Sequence, residues 1–118
     1  MKVLHFRELI VWQKGMQLVK EIYALTKKLP KAELYGLSSQ MQRASVSIPS
    51  NIAEGQSRNG KKEFARFLSI ASGSKSELQT QLQICVDIGY FSVSDIKTAM
   101  DLSDEIGKML SALIGKCQ

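Results

Sequence analysis

Gln40–Gly55 reads QMQRASVSIPSNIAEG, and two interleaved patterns within it decide the fold. Met41, Ala44, Ile48 and Ile52 recur at helical spacing, so they lay one apolar stripe along one face of a helix. Arg43, Ser47, Asn51 and Glu54 form a second stripe beside it, and that one is wholly polar. A polar row along the edge of a core either ties helices together or lines a site. Pro49 lies inside the pattern, lacking the donor for the Ser45 carbonyl and crowding the turn before it. Because the apolar spacing continues in phase through Ile52, a kinked helix is expected, with Ser45, Ser47 and Ser50 hydroxyls near the freed carbonyl.

Outward from this segment the same periodicity returns three times. The N-terminal helix is expected over about 6–29, with Leu9, Trp12, Met16, Val19 and Tyr23 on one face and Leu18, Ile22, Leu25 and Leu29 in a second row beside it, so that it contacts more than one neighbour. Pro30 closes it. Leu34, Tyr35 and Leu37 in the following connection are expected to plug the end of a core. Ser38 then caps the helix carrying the opening stretch, expected over about 38–54 with Gly55 as its stop. After the polar turn at 56–60, a long helix over about 60–88 places Phe64, Phe67, Leu68, Ala71, Leu78, Leu82 and Cys85 inside. Ile70, Ile84 and Ile88 fall elsewhere on it, a second apolar surface that predicts self-association. Ser92 and Asp95 have capping-box spacing before a last helix over about 93–114, whose face carries Ile96, Met100, Ser103, Ile106, Leu110 and Leu113. Gly15 and Gly107 each offer room for a close helix contact.

These elements predict one domain over 1–118, an all-α antiparallel up-and-down four-helix bundle. In that register Arg43 faces Ser74 and Glu77, which makes an Arg43–Glu77 ion pair the expected link between the two central helices. Asn51 is expected near Arg66, and Glu54 near Glu63. The resulting polar network comprises Arg43, Ser47, Asn51, Glu54, Ser74 and Glu77.

Composition narrows the function classes. An apolar fraction of 44% with 23% charged residues is that of a globular domain. No apolar run reaches the roughly 18 residues of a membrane span, and no secretory signal is evident, so a cytoplasmic location is expected. The two cysteines have no metal-site or disulfide spacing, and His5 is the single histidine. No nucleophile–base pair, phosphate loop or dinucleotide fingerprint is present, and Glu54 with Glu63 reads as a solvated charge cluster, not an acid–base pair. No enzyme activity, metal or cofactor is expected.

Charge is the more telling property. The net charge is +5, and residues 1–62 hold eleven Lys or Arg against four acids, whereas 63–118 hold five against seven. In an up-and-down bundle, one end collects Lys2, Arg7, Arg58, Lys61, Lys62, Arg66 and Lys116 against Glu8, Glu54 and Glu63. Of these, Arg7, Arg58, Lys61, Lys62, Arg66 and Lys116 are the candidate nucleic-acid-binding residues, a positive end suited to RNA or DNA. Lysines that only keep an assembly soluble produce the same pattern, so an oligomeric scaffold for a protein partner stands as the alternative.

Four segments, FRELIVWQKGMQLVKEIY, ELYGLSSQMQRASVSIPSNIAEG, KKEFARFLSIASGSKSELQTQL and DIGYF, together resemble the four-helix bundle family named for the intervening sequences of some bacterial 23S rRNA genes, also labelled the S23 ribosomal protein family. Arg43, Ser47, Asn51, Glu54 and Gly55 match one of its motifs; Glu63, Phe64, Phe67, Gly73, Ser74 and Glu77 match a second. Gly60 departs from it, standing where the family often has Ser or Thr. The resemblance implies a homo-oligomer, with a ring of five subunits among the members, and no agreed catalytic or binding site. A remote relative, a basic pentameric barrel that partners a reverse transcriptase, implies an affinity for polyanions.

Overall fold

The apolar stripes condense into four helices: Ile10–Thr26 (α1), Leu37–Ser57 (α2), Lys61–Asp87 (α3) and Lys97–Lys116 (α4). The computed structural model describes residues 5–118, and no strand occurs among them. Each helix packs on two neighbours, α1 on α2 and α4, α3 on α2 and α4, giving a rod with extents of 50 × 22 × 20 Å. Met41, Ile48 and Ile52 of α2 are fully buried against Leu18 and Ile22 of α1, Leu68, Leu78 and Leu82 of α3, and Ile106 and Leu110 of α4. Cys85 packs among them with Sγ 3.8 Å from Met41 Sδ, and burial pushes its thiol above the ordinary range. It is a small core residue, as its sequence position suggests.

The first helix is shorter than expected at both ends, running from Ile10 to Thr26. A 3-10 turn at Phe6–Glu8 precedes it, and Leu9 is extended, so the α-helix begins at Ile10. The break is set by His5: Nδ1 accepts from the Arg7 N–H at 3.2 Å while Glu8 reaches back to the His5 N–H, a reciprocal cap that ends the first turn on its own terms. Of its two apolar rows, the second is the more deeply buried. Val11, Gly15, Leu18, Ile22 and Leu25 face the core, whereas Met16 and Tyr23 stay exposed.

In α2, Pro49 neither ends the helix nor reaches solvent. It lies on Gly15 of α1, where an added Cβ would stand 3.3 Å from Pro49 Cβ, so Gly15 serves close approach as the sequence suggests. Gly55 does not stop the helix. It is buried, α2 continues to Ser57, and a Cβ at Gly55 would meet Phe67 Cβ at 2.8 Å and Phe64 Cδ1 at 3.1 Å. Its role is to admit the two phenylalanines of α3. The reversal instead uses Gly60, whose φ of 91° and ψ of 157° belong to a region that is nearly glycine-only.

The far end closes differently from expectation. Leu34 and Tyr35 are exposed and plug nothing, and Ser38 sits inside the first turn of α2 instead of capping it. Glu33 supplies the cap: one carboxylate oxygen accepts from the Leu37 N–H at 3.2 Å and the other from Tyr90 Oη at 2.8 Å. Ser92 and Asp95 do form their reciprocal pair, but as a free-standing turn, and α4 starts only at Lys97.

Candidate nucleic-acid interface

The polar stripe of α2 splits into a short hydrogen-bonded link at Ser47 and Asn51, with Arg43 and Glu54 taking no part in it. Ser47 Oγ lies 2.8 Å from Ser74 Oγ across the α2–α3 seam, and Asn51 Nδ2 donates to both Ser47 O and Ser47 Oγ. Arg43 and Glu77 are exposed, and no ion pair joins them among the described residues. The expected bridge therefore does not form. Its register assumed a turn centred near residue 58, whereas α2 runs on to Ser57 and displaces the pairing by about one helical turn, so that Ser47 meets Ser74. Arg43 instead lines an α1–α2 groove with Tyr23, Gln42 and Val46, and Glu77 accepts from Gln81 Nε2 at 3.3 Å.

Glu54 and Glu63 also choose local partners. Arg58 Nε donates to Glu54 at 2.9 Å, and Arg66 Nε to Glu63 at 3.0 Å, both pairs being solvent-exposed. The Arg66 hydrogen bond holds the Glu63 carboxyl below its usual range and the guanidinium above its own. Both guanidinium groups also lie near the Phe67 ring, with Cζ at 5.3 Å for Arg58 and 4.4 Å for Arg66. Exposed ion pairs stabilise little, but two cations placed by one aromatic ring hold a defined position. Asn51 does not engage Arg66, because Ser47 already occupies its amide.

The remaining basic candidates carry more available charge. Lys61 and Lys62 open α3 and Lys116 lies in the last turn of α4; all three are exposed and none has an ion-pair partner among the described residues. Arg7 is exposed with its guanidinium 5.6 Å from the Phe6 ring. Lys2 lies outside the described residues. Leu9, Ile10 and Val11 line one groove with Met109, Ala112 and Leu113, which puts the start of α1 beside the end of α4. Trp12 and Ala53 share another, which puts the start of α1 near the end of α2. These contacts gather Arg7, Arg58, Lys61, Lys62, Arg66 and Lys116 toward one end of the rod.

A scan against protein-family models matches residues 7–112 to the 23S rRNA-intervening sequence protein family. The chain belongs to that family. A solved structure from the S23 ribosomal protein family of Bacteroides thetaiotaomicron, itself a protein with unknown function, superposes with a TM-score of 0.82 at 25% identity, covering 89% of this chain and 98% of the other. No curated protein matches the chain. Among the described residues of this 23S rRNA-intervening sequence protein, no helix is long and apolar enough to cross a membrane, and no three His, Cys, Asp or Glu side chains cluster to hold a metal.

One polar site escapes the sequence reading. Ser72, Lys75, Asp104, Gly107, Lys108 and Ser111 line a groove between α3 and α4. The only hint in the sequence is the three-residue spacing of Ser72–Lys75 and Lys108–Ser111, which is too common on helix faces to single out.

Proposed function

We propose that this family member is a non-enzymatic accessory protein of the cytoplasm that binds RNA or DNA through its basic end. The observation that carries this is the excess of cations there: Lys61, Lys62 and Lys116 are exposed, with no ion-pair partner among the described residues, beside the Arg58–Phe67–Arg66 cluster. A surface of this kind attracts phosphates at long range and releases counterions on contact. Arg58 and Arg66 are positioned by Glu54 and Glu63, so the lysines supply the free charge. The underlying architecture is read as an antiparallel up-and-down bundle. In support, α2–α3 contacts pass from Met41–Cys85 through Ser47–Ser74 to the approach of Phe67 on Gly55.

The test is salt-dependent retention on nucleic acid. Reversing Lys61 and Lys62 to Glu weakens binding and flattens its salt dependence while the protein keeps its melting temperature. Binding that ignores both salt and the reversal overturns the proposal.

We further propose that the protein self-associates, most simply as the ring implied by family resemblance. Support comes from the apolar groove of Trp12, Met16, Val19, Val46, Pro49 and Ala53 between α1 and α2, and from the half-exposed Ile70, Ile84 and Ile88 of α3. Native mass measurement with and without nuclease returns a multiple of 13.1 kDa in both cases if this is right, and the monomer mass if it is wrong. The same groove favours the second reading, a scaffold for a protein partner. A defined partner that survives nuclease and high salt, with no nucleic acid retained, would replace the first reading by the second.

A further inference from the structure

The groove between α3 and α4 is polar, and its walls come from two helices. Lys75 and Ser72 stand on the α3 side, and Lys108 and Ser111 on the α4 side, so each wall presents one ammonium and one hydroxyl. Gly107 is what makes room. The sequence suggests a glycine there for helix approach, yet the atoms nearest an added Cβ belong to the Lys75 side chain, with Cε at 3.0 Å and Nζ at 3.2 Å. Lys75 thus crosses from α3 to lie against α4, half-buried, and neither it nor Lys108 has an ion-pair partner among the described residues. The groove contains one acid, Asp104, whose Oδ1 accepts from Gln79 Nε2 at 2.8 Å and is held toward the Ser103 side of the seam. Among the described residues neither lysine pairs with Asp104, so both ammonium groups are available to an anion.

The groove also leads toward the basic end. Lys61, Ala65, Leu68, Ser72 and Lys75 follow helical spacing on α3, with Leu68 buried beneath the others. Lys61 and Lys75 therefore share one face about 21 Å apart at 1.5 Å per residue. On α4, Lys116 lies about two turns beyond Lys108. A strand that contacts the end and follows the α3–α4 seam meets Ser111 and Lys108 on α4 and Ser72 and Lys75 on α3.

We propose that the α3–α4 groove is a second phosphate-contacting site, in which Lys75 and Lys108 grip the phosphodiester backbone of a nucleic-acid strand that also engages Lys61 and Lys62. This rests on the reading of the basic end as a nucleic-acid surface. Positively charged grooves that track a strand's backbone are a common way of binding single strands without sequence preference. The sign of each side chain's effect follows: Lys75 and Lys108 attract the strand, and Asp104 repels it.

Titration of a labelled single-stranded oligonucleotide over a series of salt concentrations tests this, with thermal melts run beside it. The double substitution Lys75→Gln/Lys108→Gln is expected to weaken binding and to reduce the slope of log affinity against log salt by about 1.4, the loss of two phosphate contacts on a single strand. Lys75→Arg/Lys108→Arg keeps the charge and should retain the wild-type slope. Asp104→Asn should tighten binding. A wild-type slope in the Gln pair, or no tightening in Asp104→Asn, overturns the groove proposal. If Lys61→Glu/Lys62→Glu still weakens binding in that case, the basic end survives without the groove. Absence of any salt-dependent binding by the unmodified protein overturns both.

Discussion

The two ends of this rod carry similar residues but balance their charges differently. At the end formed by the α1–α2 and α3–α4 connections, Glu33, Asp87, Asp95 and Asp101 offset Lys27, Lys28, Lys31 and Lys97. Glu33 accepts from the Leu37 N–H and from Tyr90, Asp95 accepts from the Ser92 N–H, and Lys97 pairs with Asp101. At the end of the α2–α3 turn, Arg58 and Arg66 are held in place around Phe67, but Lys61, Lys62 and Lys116 have no ion-pair partner among the described residues. The first end ties loops together. The second keeps an excess of cations, and the difference teaches that the balance of acids against bases, more than the presence of exposed lysines, sets the two ends apart.

The strongest way to break this comparison is to disturb the turn that presents the charge. Gly55→Val places a branched side chain where even a Cβ would lie 2.8 Å from Phe67 Cβ. Chemical denaturation should show a loss of about 3 kcal/mol, the upper part of the range for overpacking. A loss under about 1 kcal/mol would mean that α2 and α3 can separate at this end without cost, and that Phe67 is not a fixed anchor.

Next in size is the far end. Glu33→Ala removes the helix cap and the Tyr90 acceptor together, and should lower stability by about 1–2 kcal/mol in the same assay. A pH arm sharpens it. The hydrogen bond to Glu33 raises the Tyr90 pKa above its ordinary value near 10.0. The folded state therefore holds that proton more tightly, so the contribution is fully present below the unfolded pKa and is lost as pH rises through the folded one. Tyr90→Phe should lose this part of the alkaline fall in melting temperature; an unchanged alkaline limb would exclude the Glu33 link as its source.

Asp95 gives the acid counterpart. The Ser92 N–H holds its carboxyl below the usual range, so its contribution exists above the unfolded pKa and disappears as pH falls through the folded value. Asp95→Asn should therefore lower melting temperature at neutral pH and shrink the acid-side decline. The smallest effect belongs to the displayed and exposed charges. Arg43→Ala should change stability by no more than about 0.5 kcal/mol, since the side chain is exposed and Glu77 does not reach it. A larger loss in a monomeric sample would show that Arg43 has a partner within the fold.

Much of the architecture was legible because periodicity is local. The buried α2 residues Met41, Ala44, Ile48 and Ile52 and most of the α3 face follow directly from spacing, and so does Gly15 as a point of close approach. Spacing did not distinguish the two apolar rows of α1, because choosing between Met16–Tyr23 and Leu18–Ile22 depends on which neighbours the helix meets. It also misassigned Gly55, since a stop and a packing notch look alike until Phe64 and Phe67 arrive from another helix.

The candidate site divides in the same way. The basic character of the α2–α3 turn is present in the amino acids themselves, as is the family motif. Which charges remain free is not, because Glu54 and Glu63 could pair across the seam or along their own helices, and the tertiary structure selects Arg58 and Arg66 three or four residues away. The displaced register likewise replaces an Arg43–Glu77 bridge by a Ser47–Ser74 contact. Sequence by itself determined which faces are apolar and where cations are dense, since both follow from the order of residues along a helix. Only the packed structure decided which polar groups meet, because a shift of one turn between helices exchanges every partner while leaving each helix unchanged.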